Sequence, residues 1–178
     1  DTYWCFAAER QDVFFRRLRQ ESPPWTDDVT IRHFRFTNVY RVIDRVSQFL
    51  IRRVQGDSPQ DPDSLFFRTI LFKLFNKIET WQLLNAAVGP ILPASYDYRL
   101  YDRALSRAMA QGQRIYSAAY IMPPGGKMGT RKHRMHLRLL EVMMSDQLPL
   151  RLTECKSMRQ AFELLRSYPT IGDFLAYQ

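Results

Sequence analysis

The chain has 178 residues, 46% of them hydrophobic, enough to bury one sizeable core at a length near that of a single domain. Lys and Arg number 26 against 18 acidic residues, a formal charge of +8 that favours a polyanionic partner. Two distant cysteines, Cys5 and Cys155, exclude a disulfide framework or zinc ribbon, and no apolar run reaches the roughly 18 to 20 residues of a membrane span or follows a signal-peptide layout. The expectation is a soluble, cytoplasmic protein with no membrane partner.

Residues 3–20 set Trp4, Ala8, Phe15 and Leu18 among arginines, the pattern of an amphipathic helix, and Pro23-Pro24 ends it. Thr26-Asp27-Asp28 offers N-cap chemistry for a short second helix. Thr37 or Asn38 offers another cap for a helix that carries Val39, Val42, Ile43, Val46, Phe49 and Leu50 and ends near Gly56. Residues 56–64, GDSPQDPDS, form a surface loop. The longest apolar-periodic stretch, 65–87, reads as one central core helix, and 97–111 as another with Gly112 as its C-terminal cap.

Residues 116–122 are too short to declare a period; a strand and a short buried helix both stay open, and the helix is preferred. The loop 123–130, PPGGKMGT, leads into a basic helix over 131–144 with Met135, Leu139, Leu140 and Met143 inward. A last helix, 157–166, must stop before Pro169 and Gly172, and an apolar helical pattern restarts at Asp173. With no alternating strand pattern, the fold class is all-α.

Several groups carry candidate chemistry. The amides of Ile171, Gly172 and Asp173 fall at a helix N-terminus, where an anion such as a DNA phosphate is favoured. Lys127, Arg131, Lys132, Arg134 and Arg138 flank a glycine loop; they either follow a phosphate backbone or form a solvated helix face. Gly125-Gly126-Lys127 is no Walker A loop, because Met128 stands where Ser or Thr is required. His133 and His136 lack the Glu of HExxH and a nearby Cys, so no metal is expected. Asn38, Arg41 and Arg45 share a helix face that meets a pocket, or else Glu9 pairs internally with Arg41 or Arg45. Asn76 and Glu79 sit among bulky apolar residues, where a buried polar group is hydrogen-bonded or functional. Trp25, Tyr40, Trp81, Tyr116, Tyr120 and Tyr177 supply aromatic faces for an extruded base, although most aromatics at helical spacing are core.

Tyr168-Pro169-Thr170-Ile171-Gly172 resembles the hairpin of helix-hairpin-helix DNA glycosylases, usually Leu-Pro-Gly-Ile/Val-Gly, with Thr where Gly is commoner. WCFAAERQDVFFRRL (4–18), RFTNVYRVIDRVSQFLIR (35–52), LFFRTILFKLFNKIETW (65–81), IYSAAYIMP (115–123) and YPTIGDFLAYQ (168–178) together resemble one family. It is the alpha-glutamyl/putrescinyl thymine pyrophosphorylase family, related to the helical domain of 5-hydroxymethyluracil DNA kinases and to anti-phage DNA glycosylases.

The resemblance implies a single helix-hairpin-helix glycosylase-like helical domain over 1–178, with the hairpin at 157–178. It implies a base-flipping, cofactor-free DNA glycosylase that hydrolyses the N-glycosidic bond of a hypermodified pyrimidine in double-stranded DNA. Glu79, Asn76 and Glu9 are then the catalytic candidates. Asn38, Arg41, Arg45, Trp81, Tyr116 and Tyr120 form the base pocket, and Thr170, Ile171, Gly172, Lys127, Arg131 and Lys132 bind DNA. In such glycosylases the catalytic Asp follows the hairpin, so a further segment or domain beyond Gln178 is expected. Two other readings stay open: a base-hypermodification transferase or helical domain of a 5-hydroxymethyluracil DNA kinase, and a non-catalytic DNA-binding module.

Overall fold

The computed structural model describes residues 1–57, 59–118 and 131–177, and all regular structure among them is helical. The fold is all-α. The chain forms two compact units, Asp1–Gln48 and Phe49–Gln178.

The N-terminal unit begins with α1 (Thr2–Leu18) and α2 (Val29–His33). Asp28 caps α2, its Oδ1 accepting the Ile31 amide at 2.9 Å. Asn38 does not cap a helix; its Nδ2 donates to Asp44 Oδ1 at 2.9 Å. The helix expected from residue 39 therefore breaks into a 3₁₀ turn (Arg41–Ile43), a short α3 (Arg45–Phe49) and a π-helical continuation (Leu50–Gln55). It ends at Gly56, where a Cβ would lie 2.8 Å from the Arg52 carbonyl oxygen.

In the C-terminal unit α4 (Pro62–Phe75) starts with Pro at its first position and with Asp61 Oδ1 accepting the Ser64 amide at 2.9 Å. The single helix expected over 65–87 is in fact two, α4 and α5 (Ile78–Val88), separated by Asn76 in the left-handed conformation (φ 48°, ψ 41°). Asparagine tolerates that conformation and ends helices there. Phe75 and Ile78 are three apart, so the apolar period runs through the break unchanged and hides it. Phe67, Leu71, Phe72, Leu74 and Phe75 of α4 form the core with Leu84 of α5, and Phe49 stacks on Phe72 at 5.7 Å.

The helix α6 (Tyr98–Ala110) is capped by Asp97 and closed by Gly112 at φ 77°. The chain then runs without helix through residues 116–118, which corrects the preferred reading of 116–122 over its described part. Ile115 O accepts the Thr80 hydroxyl at 2.8 Å and the Ser117 amide donates to Phe75 O at 3.0 Å, so this segment is fastened to α4 and α5. The loop 123–130 lies outside the described residues.

Helix α7 (Lys132–Ser145) buries Leu137, Leu139, Leu140 and Met143 together with His133 and His136. An unexpected α8 (Leu148–Thr153) follows, with Pro149 in its first turn. The region of the expected hairpin holds α9 (Met158–Arg166), capped by Ser157, and α10 (Asp173–Tyr177). α4 packs on α7 and α8, α6 on α5 and α7, and α9 on α10. No helix among the described residues is long and apolar enough to cross a membrane.

Candidate nucleic-acid interface

Within the N-terminal unit lies an open cavity of about 870 Å³ lined by Arg10, Arg17, Arg32 and Arg35, with Phe14, Trp25, Phe34 and Phe36 between them. Among the described residues no carboxylate lines it. Arg10, Phe14 and Arg17 come from one face of α1, at the i, i+4, i+7 spacing that aligns side chains. Arg32 comes from the last turn of α2, and the irregular segments 23–26 and 34–38 contribute most of the remaining wall.

Two of the arginines are held in place by aromatic rings. The Arg10 guanidinium carbon is 5.4 Å from the centroids of both Phe6 and Phe36, and Arg10 donates to the Thr37 carbonyl. Arg17 lies 5.3 Å over Trp25, whose indole N–H is fixed on Glu21 O at 2.7 Å. Such stacking orders a guanidinium without neutralising it. The Arg10 Nε–H is buried with no acceptor among the described residues, an arrangement that costs about 1–3 kcal/mol until an acceptor arrives. Arg32 and Arg35 are exposed and in no ion pair among the described residues. The cavity thus combines positive charge, an unsatisfied donor and aromatic faces, the chemistry that receives a nucleotide's phosphate and base.

Of the expected base-pocket residues, Asn38 lines this cavity. Arg41 instead pairs with Asp44 at 2.7 Å, and Arg45 is exposed. Glu9 pairs with neither arginine: its carboxylate accepts the Thr26 hydroxyl and borders a separate hollow with Asp27 and Asp28. The other expected pocket residues belong to the C-terminal unit. Trp81 is buried in edge contact with Phe72 at 6.0 Å. The Tyr116 ring is engaged by Phe75 at 5.1 Å and by the Lys132 ammonium at 4.4 Å. Asn76 is the buried stop of α4, Glu79 is exposed on the first turn of α5, and Arg131 is exposed. Tyr120 and Lys127 lie outside the described residues.

The histidines of α7 have protein partners. His133 Nε2 lies 2.8 Å from Asp102 Oδ1, which also accepts Arg134 Nε at 2.9 Å, while the Ser106 hydroxyl sits 3.2 Å from the ring nitrogen. His136 Nδ1 meets the Tyr116 hydroxyl at 2.9 Å, and burial pushes that phenol's pKa up so that it remains the donor. Among the described residues no three potential metal ligands come together.

Burial holds the His133 pKa below its ordinary value despite the Asp102 carboxylate, so the ring is neutral and its Nε2–H donates to Asp102. Burial raises the Asp102 pKa, but the bonds from Arg134 and His133 outweigh it and hold that carboxyl below the usual range. As pH falls through about 6.5, the unfolded chain takes up a proton that the buried ring resists. Stability is therefore complete above that pH and declines below it, whereas the Asp102 contribution is lost only at lower pH, through the carboxylate range. Urea midpoints measured from pH 7.5 to 5 should fall, and His133→Gln, which keeps a donor for Asp102, should flatten the fall; an unchanged slope in the variant would refute this assignment.

The hairpin is partly self-satisfied. The Ile171 amide donates to Tyr168 O at 3.2 Å, which removes it from the expected phosphate-binding amides. Thr170 takes φ 70°, the left-handed conformation that the resembling pattern fills with Gly. Asp173 pairs with Arg166 at 3.4 Å, and the Tyr168 hydroxyl reaches Asp146 at 3.1 Å.

The sequence model of the family described as 5-hmdU DNA kinase, helical domain, matches residues 1–178. The chain belongs to that family. Among curated proteins it is similar to a 5-hmdU DNA kinase of Bacillus phage SP10, with 28% identity over 193 residues covering 100% of this chain and 30% of the relative. The chain thus spans about a third of the length of the relative it matches. No solved structure matches.

The expectation of a glycosylase is corrected by these matches: the relative is named a kinase, which transfers a phosphoryl group, and not a hydrolase of N-glycosidic bonds. The arginine–aromatic cavity escaped the sequence reading except for Asn38 and Trp25. Its signals were Arg10, Phe14 and Arg17 on one helical face and the alternation Arg32-His33-Phe34-Arg35-Phe36.

Proposed function

We propose that the chain serves as the DNA-engaging helical part of a 5-hmdU DNA kinase, holding DNA that carries the modified pyrimidine and receiving the nucleotide in the arginine–aromatic cavity. The cavity's four arginines without a carboxylate are the observation that carries the reading. A base turned out of the duplex would stack on Trp25, with its phosphates on Arg32 and Arg35. The Arg10 Nε–H would gain its acceptor from the bound nucleotide. Asn38, whose amide N–H is already held by Asp44, keeps its side-chain oxygen to accept the 5-hydroxymethyl proton. Binding and presentation fall to these residues; forming the phosphoester bond is assigned to the rest of the kinase. The turn before α10 adds a second backbone contact through the exposed Gly172.

Fluorescence anisotropy with two duplexes identical except for one 5-hmdU or one thymine tests the reading. About tenfold tighter binding of the 5-hmdU duplex is expected, the worth of one hydrogen bond. Equal affinity would contradict recognition of the base, and no binding to either would contradict engagement of DNA.

A further inference from the structure

Helix α6 carries Arg99, Arg103 and Arg107 at four-residue spacing, and all three are exposed. None forms an ion pair among the described residues. The two aspartates of the helix region are committed elsewhere: Asp97 caps the N-terminus through the Arg99 and Leu100 amides, and Asp102 is bound to His133 and Arg134. Arg103 and Arg107 border a shallow groove of about 310 Å³ whose other walls include Leu83, Ala87, Ala104 and Gln111. Ala87, Ala104 and Ala108 there let a polymer approach the helix closely, and among the described residues no acidic side chain lines the groove to repel an anion.

A helix rises about 1.5 Å per residue, so Arg99 and Arg107 are set about 12 Å apart along the axis with Arg103 midway. Over that length one strand of a duplex presents roughly three to four phosphates, at about 3.4 Å of axis each. We propose that α6 lays Arg99, Arg103 and Arg107 along the phosphates of one DNA strand, positioning the duplex without reading its sequence. The assignment rests on the reading of the chain as a DNA-engaging domain and adds the surface that the backbone follows. It is independent of the cavity, which takes the nucleotide itself.

The test is the salt dependence of affinity for the 5-hmdU duplex, measured for the wild-type chain and for Arg99→Ala/Arg103→Ala/Arg107→Ala. Each lost phosphate contact flattens the slope of log K against log salt by about 0.9, so the triple variant should lose about 2.7 of slope and bind about a hundredfold more weakly at 0.15 M salt. The corresponding triple lysine variant should keep the slope, which a purely structural role of the arginines would not predict. A wild-type slope in the alanine variant overturns the α6 assignment while leaving DNA engagement standing. Absence of DNA binding by the wild-type chain overturns the functional reading and this one with it.

Discussion

Replacing Arg68 with methionine is expected to destabilise the C-terminal unit by about 1–3 kcal/mol, the range for leaving a buried acceptor without its donor. Arg68 is 2% exposed, and its partners are backbone oxygens: Nε donates to Val54 O at 2.8 Å, and one terminal nitrogen donates to Asp57 O and Pro59 O, both at 2.9 Å. One side chain thereby fastens the turn after the π-helical segment to α4. Methionine has a similar length and fills the space, so the loss reports the Val54 and Pro59 carbonyls left without their donor, Gln60 Nε2 still donating to Asp57 O, and not a cavity. Urea unfolding followed by circular dichroism would show a lower midpoint at an unchanged m-value. A change below about 1 kcal/mol would mean that water replaces the guanidinium at no cost, against the burial observed.

The second large effect is on binding. Trp25→Ala/Arg32→Ala/Arg35→Ala should weaken DNA affinity by at least about a hundredfold at 0.15 M salt, from lost base stacking worth about 1–3 kcal/mol and two lost phosphate contacts. Arg32 and Arg35 are exposed, so the fold should tolerate their removal. Lysine at both positions should restore most of the electrostatic part while leaving the stacking loss in place. Affinity within threefold of wild type in the alanine variant would remove the cavity from the account.

Local sequence signals located most helices because their causes are local. Asp28, Asp97 and Ser157 cap helices where their side chains can reach an amide two or three residues on, and Gly112 ends α6 at positive φ, whereas α4 starts at Pro62 under an Asp61 cap, inside the stretch 56–64 that reads as a loop. Where a partner more than one helical turn away decides, the sequence was silent. Asn38 could have capped a helix but bonds to Asp44 instead, and residues 115–117 are fixed by Thr80 and by the Phe75 carbonyl, each more than thirty residues away. Asn76 drew attention as a polar residue in an apolar run, yet its position at the end of α4 comes from its left-handed backbone.

The candidate site divides along the same line. Aromatics at helical spacing, such as Trp81 and Tyr116, turned out to pack on Phe72 and Phe75, the commoner fate of such residues. The cavity arginines come from two helices and an irregular segment, and only the folded N-terminal unit brings them to one wall. Their lack of a carboxylate partner among the described residues is a spatial property that no spacing rule records. The residues that prompted a glycosylase reading form two short helices, and the kinase family match shows why a local motif alone does not define a reaction.

The most direct measurement of the central claim is the ratio of affinities for the 5-hmdU and thymine duplexes, determined side by side for the wild-type chain and for Trp25→Ala. The expected ratio is about ten in the wild type, one hydrogen bond's worth, and near one in the variant, where a base no longer settles in the cavity. A wild-type ratio near one, or a ratio that Trp25→Ala leaves intact, would contradict the placement of the modified base against Trp25.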